Sequence, residues 1–289
     1  MSCPDPAADY VWNDALSDFS PVSLPSNVSR TSLVAATAKS LDKLRDARPR
    51  VHALTNFVAM NVSANVMLAS GAVPSMTFRA ESMPDFVAST ASLLVNLGQL
   101  EPEREAAIKR AVPLALELNR PWVLDPVKVE RSGMRQDLAA GLLRLHPAVL
   151  RANRDEVLAL LGTTGSAEPD LEGATDTARL LAQSSNIVVA ATGAVDIITD
   201  GKRTIRLANG SLLMDRVTAM GCASSALLAC FLAVEPDPLL AAAQALFLFG
   251  VAGEVAAERA AGPGTFEPHL IDAIFAMDAA TLDARGKLL

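Results

Sequence analysis

Short apolar runs alternate with amphipathic segments along most of the chain, which predicts strands separated by helices. Buried strands are predicted at "VHALTN", "AVPSM", "SLLVNLG", "PWVLDP", "AVLRAN" and "NIVVAATG". Helical spacing predicts helices between them, the first with Thr31 as its N-cap and the second ending at Gly71. Strands that alternate with helices predict an α/β fold, with a mostly parallel central sheet and helices on both faces.

The pattern changes after residue 193. The turn dipeptides Asp200-Gly201 and Asn209-Gly210 separate the short runs "VDIIT", "KRTIRLA" and "SLLM", which predicts late antiparallel hairpin strands. Helices are predicted from about Cys222 to the C-terminus. The most apolar stretch, residues 239–253, is interrupted by Gln244 and falls short of the roughly 20 residues that cross a bilayer. It therefore predicts a buried helix, with no membrane span.

Composition narrows the class of protein. The chain is 51% hydrophobic, which excludes bulk disorder, and its net charge of −7 without a basic stripe disfavours nucleic-acid binding. Three cysteines disfavour a disulfide scaffold and suit a reducing cytoplasm. Residues 1–30 form an acidic segment without the basic start and apolar run of a secretory signal. We expect a mobile or loosely docked N-terminal tail there, followed by a single domain over residues 31–289.

Polar residues follow the predicted strands, at the edge where open parallel sheets bind ligands. Asp125 ends one strand, while Asn153 and Glu156 lie three residues apart at the start of a helix. Two carboxylates at such a crevice suit Mg²⁺ when substrate phosphates supply its other ligands. The same spacing also predicts an N-terminal capping box, which requires no metal. Spacing alone favours the capping box.

A second candidate is the loop that enters the helix "GCASSALLACFLA" at Gly221 and Cys222. Helix N-termini have unpaired N–H groups and a partial positive charge, so they bind phosphate. A thiol in the first turn tends towards a lowered pKa. The alternative is a small buried cysteine ahead of a core helix. No GxSxG, Walker A or GxGxxG motif is present, which disfavours the commonest hydrolases, P-loop proteins and dinucleotide-binding folds.

Six longer segments occur in order along the chain: "VHALTNFVAMNVSANVMLASGAVPSM", "LLVNLG", "VLDPV", "LRANRDEV", "VVAATGAVDIITDG" and "VTAMGCASSALLACFLA". In this order and spacing, from about residue 31 to the C-terminus, the chain resembles the hydroxyethylthiazole kinase family. The resemblance implies a ribokinase-like fold and transfer of the ATP γ-phosphate to the primary alcohol of 4-methyl-5-(2-hydroxyethyl)thiazole in thiamine salvage. It also implies Mg²⁺ as cofactor and a homotrimer with active sites between subunits.

The resemblance also assigns roles to residues at matching positions. The substrate-binding residues it implies are Asn56, Val58, Met76, Gly98 and Ala219. The ATP-binding residues are Arg151, Asn153 and Thr192, and the magnesium-linked acids are Asp125 and Glu156. The catalytic residues are Gly221 and Cys222, the cysteine occupying the position where related ribokinase-like kinases have an aspartate.

Two departures from the family's pattern leave alternatives open. The family's Gly-Thr-Gly-Cys loop reads Ala219-Met220-Gly221-Cys222 here, and a left-handed alanine would cost roughly 1–2 kcal/mol. Small residues and glycines usually follow the Asp-Pro-Val segment, whereas this chain has residues 128–131, "KVER". These side chains either meet phosphate oxygens, fill the nucleotide site or form a solvated loop face. A non-catalytic ligand-binding protein, or a kinase for another small alcohol such as a hydroxymethylpyrimidine, therefore stays open.

Overall fold

The computed structural model describes residues 28–163 and 170–289, so the predicted tail over residues 1–30 lies outside the described residues apart from its last three. In the described part, eight strands form one sheet in the order β2-β1-β3-β4-β5-β6-β7-β8. The strands are β1 (Arg50–Leu54), β2 (Val73–Ser75), β3 (Ser92–Asn96), β4 (Trp122–Asp125), β5 (Val149–Asn153), β6 (Val188–Thr192), β7 (Asp196–Thr199) and β8 (Thr204–Leu207). Strands β1 to β6 pair in parallel, and β7 and β8 extend the sheet antiparallel. The predicted α/β fold with late antiparallel strands is confirmed.

Helices cover both faces of this sheet. They are α1 (Arg30–Ala47), α2 (Met60–Ser70), α3 (Met83–Ala88), α4 (Pro102–Glu117), α5 (Gly133–Leu143), α6 (Arg154–Leu160), α7 (Leu171–Ser185), α8 (Met220–Leu232), α9 (Pro238–Arg259), α10 (Pro263–Phe275) and α11 (Ala279–Arg285). Helices α3 to α7 pack on one face, and α1, α2 and α8 to α11 on the other. In β3, Leu94 belongs to one core while Leu93 and Val95 belong to the other. This alternation follows from the two-residue period of a strand and explains why both faces are apolar.

Helix α9 is long and apolar enough, by length and composition, to cross a membrane. Within the fold, 94% of its most apolar window is buried against other parts of the protein. The predicted buried helix over residues 239–253 is therefore confirmed, and its hydrophobicity is explained by its place in the core.

Two local predictions are wrong. The run "SLLM" forms no strand in the structure; a short 3₁₀ helix, Leu212–Arg216, takes its place, and Ser211 accepts the N–H of Leu213 at 3.3 Å. The edge of β8 is instead bridged by the C-terminus, through Leu207 and Leu288. Helix α1 begins after Ser29, whose hydroxyl accepts the N–H of Ser32, so the predicted cap at Thr31 is two residues late.

Candidate active site

The strand order reverses between β1 and β3, because the chain leaves β1 for β2 on one side and then crosses back to β3. Such a switch point opens a crevice beyond the carboxyl ends of the two strands. Asn56 follows β1 and Asn96 ends β3, and both are buried. The Asn56 amide donates to Asn96 Oδ1 at 3.0 Å, so the two residues close the floor of this crevice.

Asn96 is the centre of a buried polar network. Its amide donates to Asp125 Oδ2 at 2.8 Å and to Cys222 Sγ at 3.3 Å, while its Oδ1 also accepts the N–H of Gly98 at 3.0 Å. Asn56 donates to Cys222 Sγ at 3.5 Å. Asn96 therefore joins four predicted site residues from separate parts of the chain: Asn56, Gly98, Asp125 and Cys222. Asn96 itself was not among the site residues predicted from the sequence.

Cys222 is a thiol at neutral pH. It lies in the first turn of α8, as predicted, but its expected low pKa is wrong. Burial, together with the neighbouring Asp125 carboxylate, raises the pKa of Cys222 to about 11, outweighing the amide N–H donors of Asn96 and Asn56 and the charge of Arg151. Such a thiol is suited to orienting a hydroxyl and poorly suited to acting as a strong base.

Asp125 is fully buried, and burial raises its pKa to about 6, against the lowering effects of Arg151 and of the Asn96 hydrogen bond. Its Oδ1 has no hydrogen-bond partner among the described residues. Glu156 forms the predicted capping box: Oε2 accepts the N–H of Asn153 at 2.8 Å, and Asn153 Oδ1 accepts the N–H of Glu156 at 3.0 Å. Glu156 Oε1 accepts the N–H of Lys128 at 2.9 Å. Glu156 therefore links the start of α6 to the loop after β4.

The N-terminus of α8 faces this network. Ala219 has φ 65°, so the left-handed alanine anticipated from the sequence is present. Met220 is buried within the core cluster that α8 shares with α2 and α9. A Cβ on Gly221 would lie 2.6 Å from Arg151 Nη1, so the absent side chain lets the guanidinium pack directly against the helix start.

A cavity of about 710 Å³ opens from this helix start. Its lining includes the sequence-predicted residues Arg151, Asn153, Thr192, Ala219 and Gly221. One wall is formed by residues 208–211, and another by the turn between β6 and β7. Met220 is among the lining residues, and the cavity remains open beside it.

Asp196, at the start of β7, also lines the cavity and was missed in the sequence. Its Oδ1 accepts the N–H of Gly193 at 3.0 Å, which fixes the turn after β6. Loss of solvation raises the pKa of Asp196 to about 6, although the Gly193 N–H and the charge of Arg151 lower it. An acid three residues after Gly193, which directly follows β6, was the signal available in the sequence.

The remaining predicted substrate residues lie at the periphery. Val58 is 53% exposed and its neighbour Phe57 is 46% exposed, so this apolar pair is uncovered in a single chain. Met76 follows the edge strand β2 and is half-buried. Buried His52 supports this segment, because its Nδ1 contacts Ser75 Oγ at 2.7 Å and its Nε2 contacts Thr77 O at 3.0 Å.

The loop after β3 is held by a buried arginine, which the sequence analysis also missed. Arg104, fully buried on α4, donates to the carbonyl oxygens of Asn96 and Gln99, each at 2.7 Å, and to that of Gly98. A Cβ on Gly98 would lie 2.7 Å from the Asn56 amide. The arginine and the glycine together let the loop pack tightly over the amide network.

The loop of residues 128–131 lies beside Glu156 and is not part of the cavity lining. Lys128 has φ 57° and an exposed side chain. Arg131 is exposed and contacts Glu130 Oε1 at 3.3 Å. Neither side chain lines the 710 Å³ cavity, which leaves the solvated loop and a contact with bound phosphate as the two remaining interpretations.

The fold is that of the ribokinase-like proteins. A solved ribokinase-like superfamily protein from Enterococcus faecalis superposes with a TM-score of 0.61 at 12% identity, over 87% of this chain and 90% of that one. This likeness establishes the architecture alone. The class that the fold defines is that of the ribokinase-like α/β proteins.

The particular family follows from closer relatives. Residues 41–280 match the model of the hydroxyethylthiazole kinase family. A hydroxyethylthiazole kinase of Cereibacter sphaeroides is 46% identical over 254 residues, which cover 86% of this chain and 96% of the relative. The solved hydroxyethylthiazole kinase of Pyrococcus horikoshii superposes with a TM-score of 0.84 at 36% identity, over 88% of this chain and 98% of that one. The chain belongs to the hydroxyethylthiazole kinase family.

Proposed function

We propose that this protein transfers the γ-phosphoryl group of ATP to the primary hydroxyl of 4-methyl-5-(2-hydroxyethyl)thiazole, in salvage of the thiazole half of thiamine. The observation that carries the proposal is the position of Cys222. Its sulfur accepts two amide N–H groups at the switch point, and its helix begins beside Arg151 and the 710 Å³ cavity. An alcohol at Cys222 and a nucleotide in the cavity would therefore meet at the start of α8.

The residues divide between the two substrates. The N–H groups of Met220, Gly221 and Cys222 lie in the first turn of α8, where a helix has no internal acceptor for them, and Ala219 provides no side-chain cap. They would stabilise the negative charge of the transferring phosphoryl group, and Arg151 would hold nucleotide phosphate. Asn153 and Thr192 would contact the nucleotide, while Asn56, Gly98 and Ala219 would contact the thiazole alcohol.

The thiol of Cys222 would orient the attacking hydroxyl. Because its pKa is raised to about 11, it stays protonated at neutral pH. Phosphoryl transfer through a loose transition state needs alignment and charge stabilisation more than a strong base. The proton of the alcohol would leave with the phosphorylated product or pass to solvent.

Asp125 and Glu156 are the residues that would hold Mg²⁺. The unpartnered Asp125 Oδ1 fits a cation or a water bound to it, and the Glu156 oxygens, each already accepting one N–H, retain a lone pair. No cluster of three potential metal ligands occurs in residues 28–163 and 170–289, as expected for an ion that takes its other ligands from phosphates and water. Bound Mg²⁺ would offset the charge of the nucleotide phosphates.

We also propose that the active site is completed by a second subunit of a homotrimer. The support is the apolar pair Phe57 and Val58, which is exposed immediately after Asn56 in a single chain. A partner covering this pair would bury Val58 next to the site, as its predicted thiazole contact requires. Light scattering on the purified protein tests this assembly, and a monomer at working concentration would contradict it.

The free, buried thiols of Cys222 and Cys230 are consistent with the reducing cytoplasm that we propose as the compartment.

A coupled assay for ADP, with the thiazole alcohol and Mg-ATP, tests the reaction. We expect turnover that depends on both substrates, a lower rate for Cys222→Ala and a weaker magnesium dependence for Glu156→Gln. Unchanged rates in both variants would contradict the assigned roles.

Family membership does not favour a hydroxymethylpyrimidine kinase, and turnover of that alcohol in preference to the thiazole would reverse this conclusion. Ligand binding by calorimetry without ADP formation would support a non-catalytic protein.

A further inference from the structure

The cavity wall formed by residues 208–211 is braced from behind by the C-terminus. Ala208 N donates to the Lys287 carbonyl at 2.9 Å, Lys287 N donates to Asn209 Oδ1 at 2.8 Å, and Leu289 N donates to the Arg206 carbonyl at 3.1 Å. The last residues of the chain thus replace the third hairpin strand that the sequence predicted. They continue the sheet edge next to the proposed nucleotide cavity.

One carboxylate joins this wall to the C-terminus. Glu254 Oε1, on α9, accepts the Asn209 amide at 2.9 Å, the N–H of Gly210 at 3.2 Å and the Lys287 ammonium at 2.9 Å. Three donors converge on a single oxygen of a side chain that is only 13% exposed. Removing that oxygen would leave all of them to find other acceptors.

Two further contacts define the position of the wall. The Asn209 amide also donates to the Arg285 carbonyl at 2.8 Å, at the end of α11. A Cβ on Gly250 would lie 2.7 Å from the Asn209 carbonyl oxygen, so the loop rests directly on the backbone of α9. These contacts leave residues 208–211 no room to move towards α9. We infer that they also fix the distance of the wall from Arg151 and Thr192 across the cavity.

We propose that Glu254 is a positioning residue for the nucleotide, acting through Asn209 and Gly210, with residues 287–289 as the second half of the same brace. The proposal rests on the proposed function, since it takes the cavity as the nucleotide site. Glu254 and Lys287 are absent from the cavity lining, so they act on the wall and not on the ligand. Neither residue contacts Asn56, Gly98 or Cys222, so the proposed thiazole contacts at these residues do not depend on them.

The test measures steady-state kinetics and ADP binding by calorimetry in Glu254→Ala, Glu254→Gln and a chain ending at Gly286. We expect Glu254→Ala and the truncation to raise the KM for Mg-ATP and the Kd for ADP by about tenfold, since a multiply hydrogen-bonded charged group is lost. Glu254→Gln, which keeps an acceptor oxygen, should recover most of this loss. The KM for the thiazole alcohol and kcat at saturating ATP should stay within about twofold of the parent protein.

Glu258→Ala is the matched control. Glu258 lies one turn further along α9 and binds Arg285 through two contacts of 2.7 Å, yet it does not touch residues 208–211. This variant removes a carboxylate from the same helix and from the same C-terminal segment. It should leave both KM values unchanged.

Folded Glu254→Ala or truncated protein with an unchanged KM for Mg-ATP and unchanged ADP affinity would overturn the proposal. An equal rise in both KM values would also overturn it, because that result indicates general loosening of the fold. If Glu254→Ala fails to fold, the truncation decides by the same criteria. Absence of thiazole turnover in the parent protein would contradict the proposed function alone, since ADP binding still reports on the brace. Absence of ADP binding in the parent would overturn the inference itself.

Discussion

Asn96 and Asp125 are register partners at the ends of neighbouring parallel strands, and the Asn96 amide donates to Asp125 Oδ2 at 2.8 Å. Side chains in register on adjacent parallel strands point to the same face, so the sheet itself places the amide against the acid. The same amide reaches Cys222 Sγ, which connects the proposed metal-linked acid to the proposed catalytic thiol. Asn96 therefore controls the geometry of both groups.

Asn96→Ala should lower kcat by at least about tenfold and destabilise the fold by about 3 kcal/mol. The substitution leaves the Asp125 carboxylate, the Asn56 amide and the Gly98 N–H without their buried partner, at roughly 1–3 kcal/mol for each unsatisfied group. Urea unfolding and the ADP assay measure the two effects. Asn61→Ala, which removes an exposed amide on α2, should change stability by less than about 0.5 kcal/mol. Equal effects of the two substitutions would contradict the role given to Asn96.

Ala219→Gly should stabilise the protein by about 0.5–1 kcal/mol. The left-handed φ of 65° costs an alanine roughly 1–2 kcal/mol, and glycine avoids that cost while losing some entropy on folding. Thermal unfolding and urea unfolding measure the change. The same substitution at Ala140, exposed within α5, should destabilise the protein by about 1 kcal/mol. If both substitutions lower the free energy of unfolding, the backbone at residue 219 is not strained.

Cys222 should react slowly with iodoacetamide at pH 8. The pH profile of kcat should show no step from ionisation of a thiol between pH 6 and 9. Both expectations follow from burial and from a pKa raised to about 11, which leaves little thiolate in this range. Mass spectrometry after alkylation and the pH profile of kcat measure them. Cys222→Ser, which replaces the thiol with a hydroxyl of similar shape, should retain more activity than Cys222→Ala. Rapid alkylation, with a kcat that rises with the thiolate fraction, would instead support a basic role.

His52 should make the protein sensitive to acid. Burial lowers its pKa from 6.5 to about 4, against the raising effect of the Thr77 carbonyl, so the folded protein binds fewer protons than the unfolded chain between these values. The contribution of His52 to stability should therefore fall by about 3 kcal/mol as the pH drops from 6.5 towards 4, whereas Asp125 and Asp196, whose pKa values are raised to about 6, act in the opposite direction over the lower part of this range. Urea unfolding isolates the histidine: between pH 6.5 and 4 the stability of the parent protein relative to His52→Gln should fall by about this amount, with His269→Gln on α10 as the control.

The same titration should affect the substrate site. Protonated His52 can no longer accept at Nδ1 from Ser75, so the segment that positions Met76 should loosen in acid. The KM for the thiazole alcohol should rise below about pH 5 in the parent protein, and less so in His52→Gln. A KM that is independent of pH would show that this segment does not contact the substrate.

The sequence determined the sheet and the edge at which the site lies. The alternating apolar runs predicted β1 to β6, and the Asp200-Gly201 turn predicted the hairpin of β7 and β8, because strand periodicity and turn chemistry are local properties. The capping box of Asn153 and Glu156 was likewise readable from spacing. The energetic cost of the left-handed conformation at Ala219 could also be predicted from the sequence, because it depends only on the backbone conformation that the loop requires.

The tertiary structure decided which polar residues meet and how they ionise. Asn96 and Arg104 resemble ordinary strand-end and helix residues in the sequence, and only the packing of the loop after β3 against Cys222 reveals their connection to the site. Burial reversed the expected shift of the Cys222 pKa, because desolvation depends on every neighbour in space. The C-terminus takes the place of the strand predicted at "SLLM". Leu288, which bridges to Leu207 in β8, lies 81 residues further along the chain, so no local sequence pattern could predict this pairing.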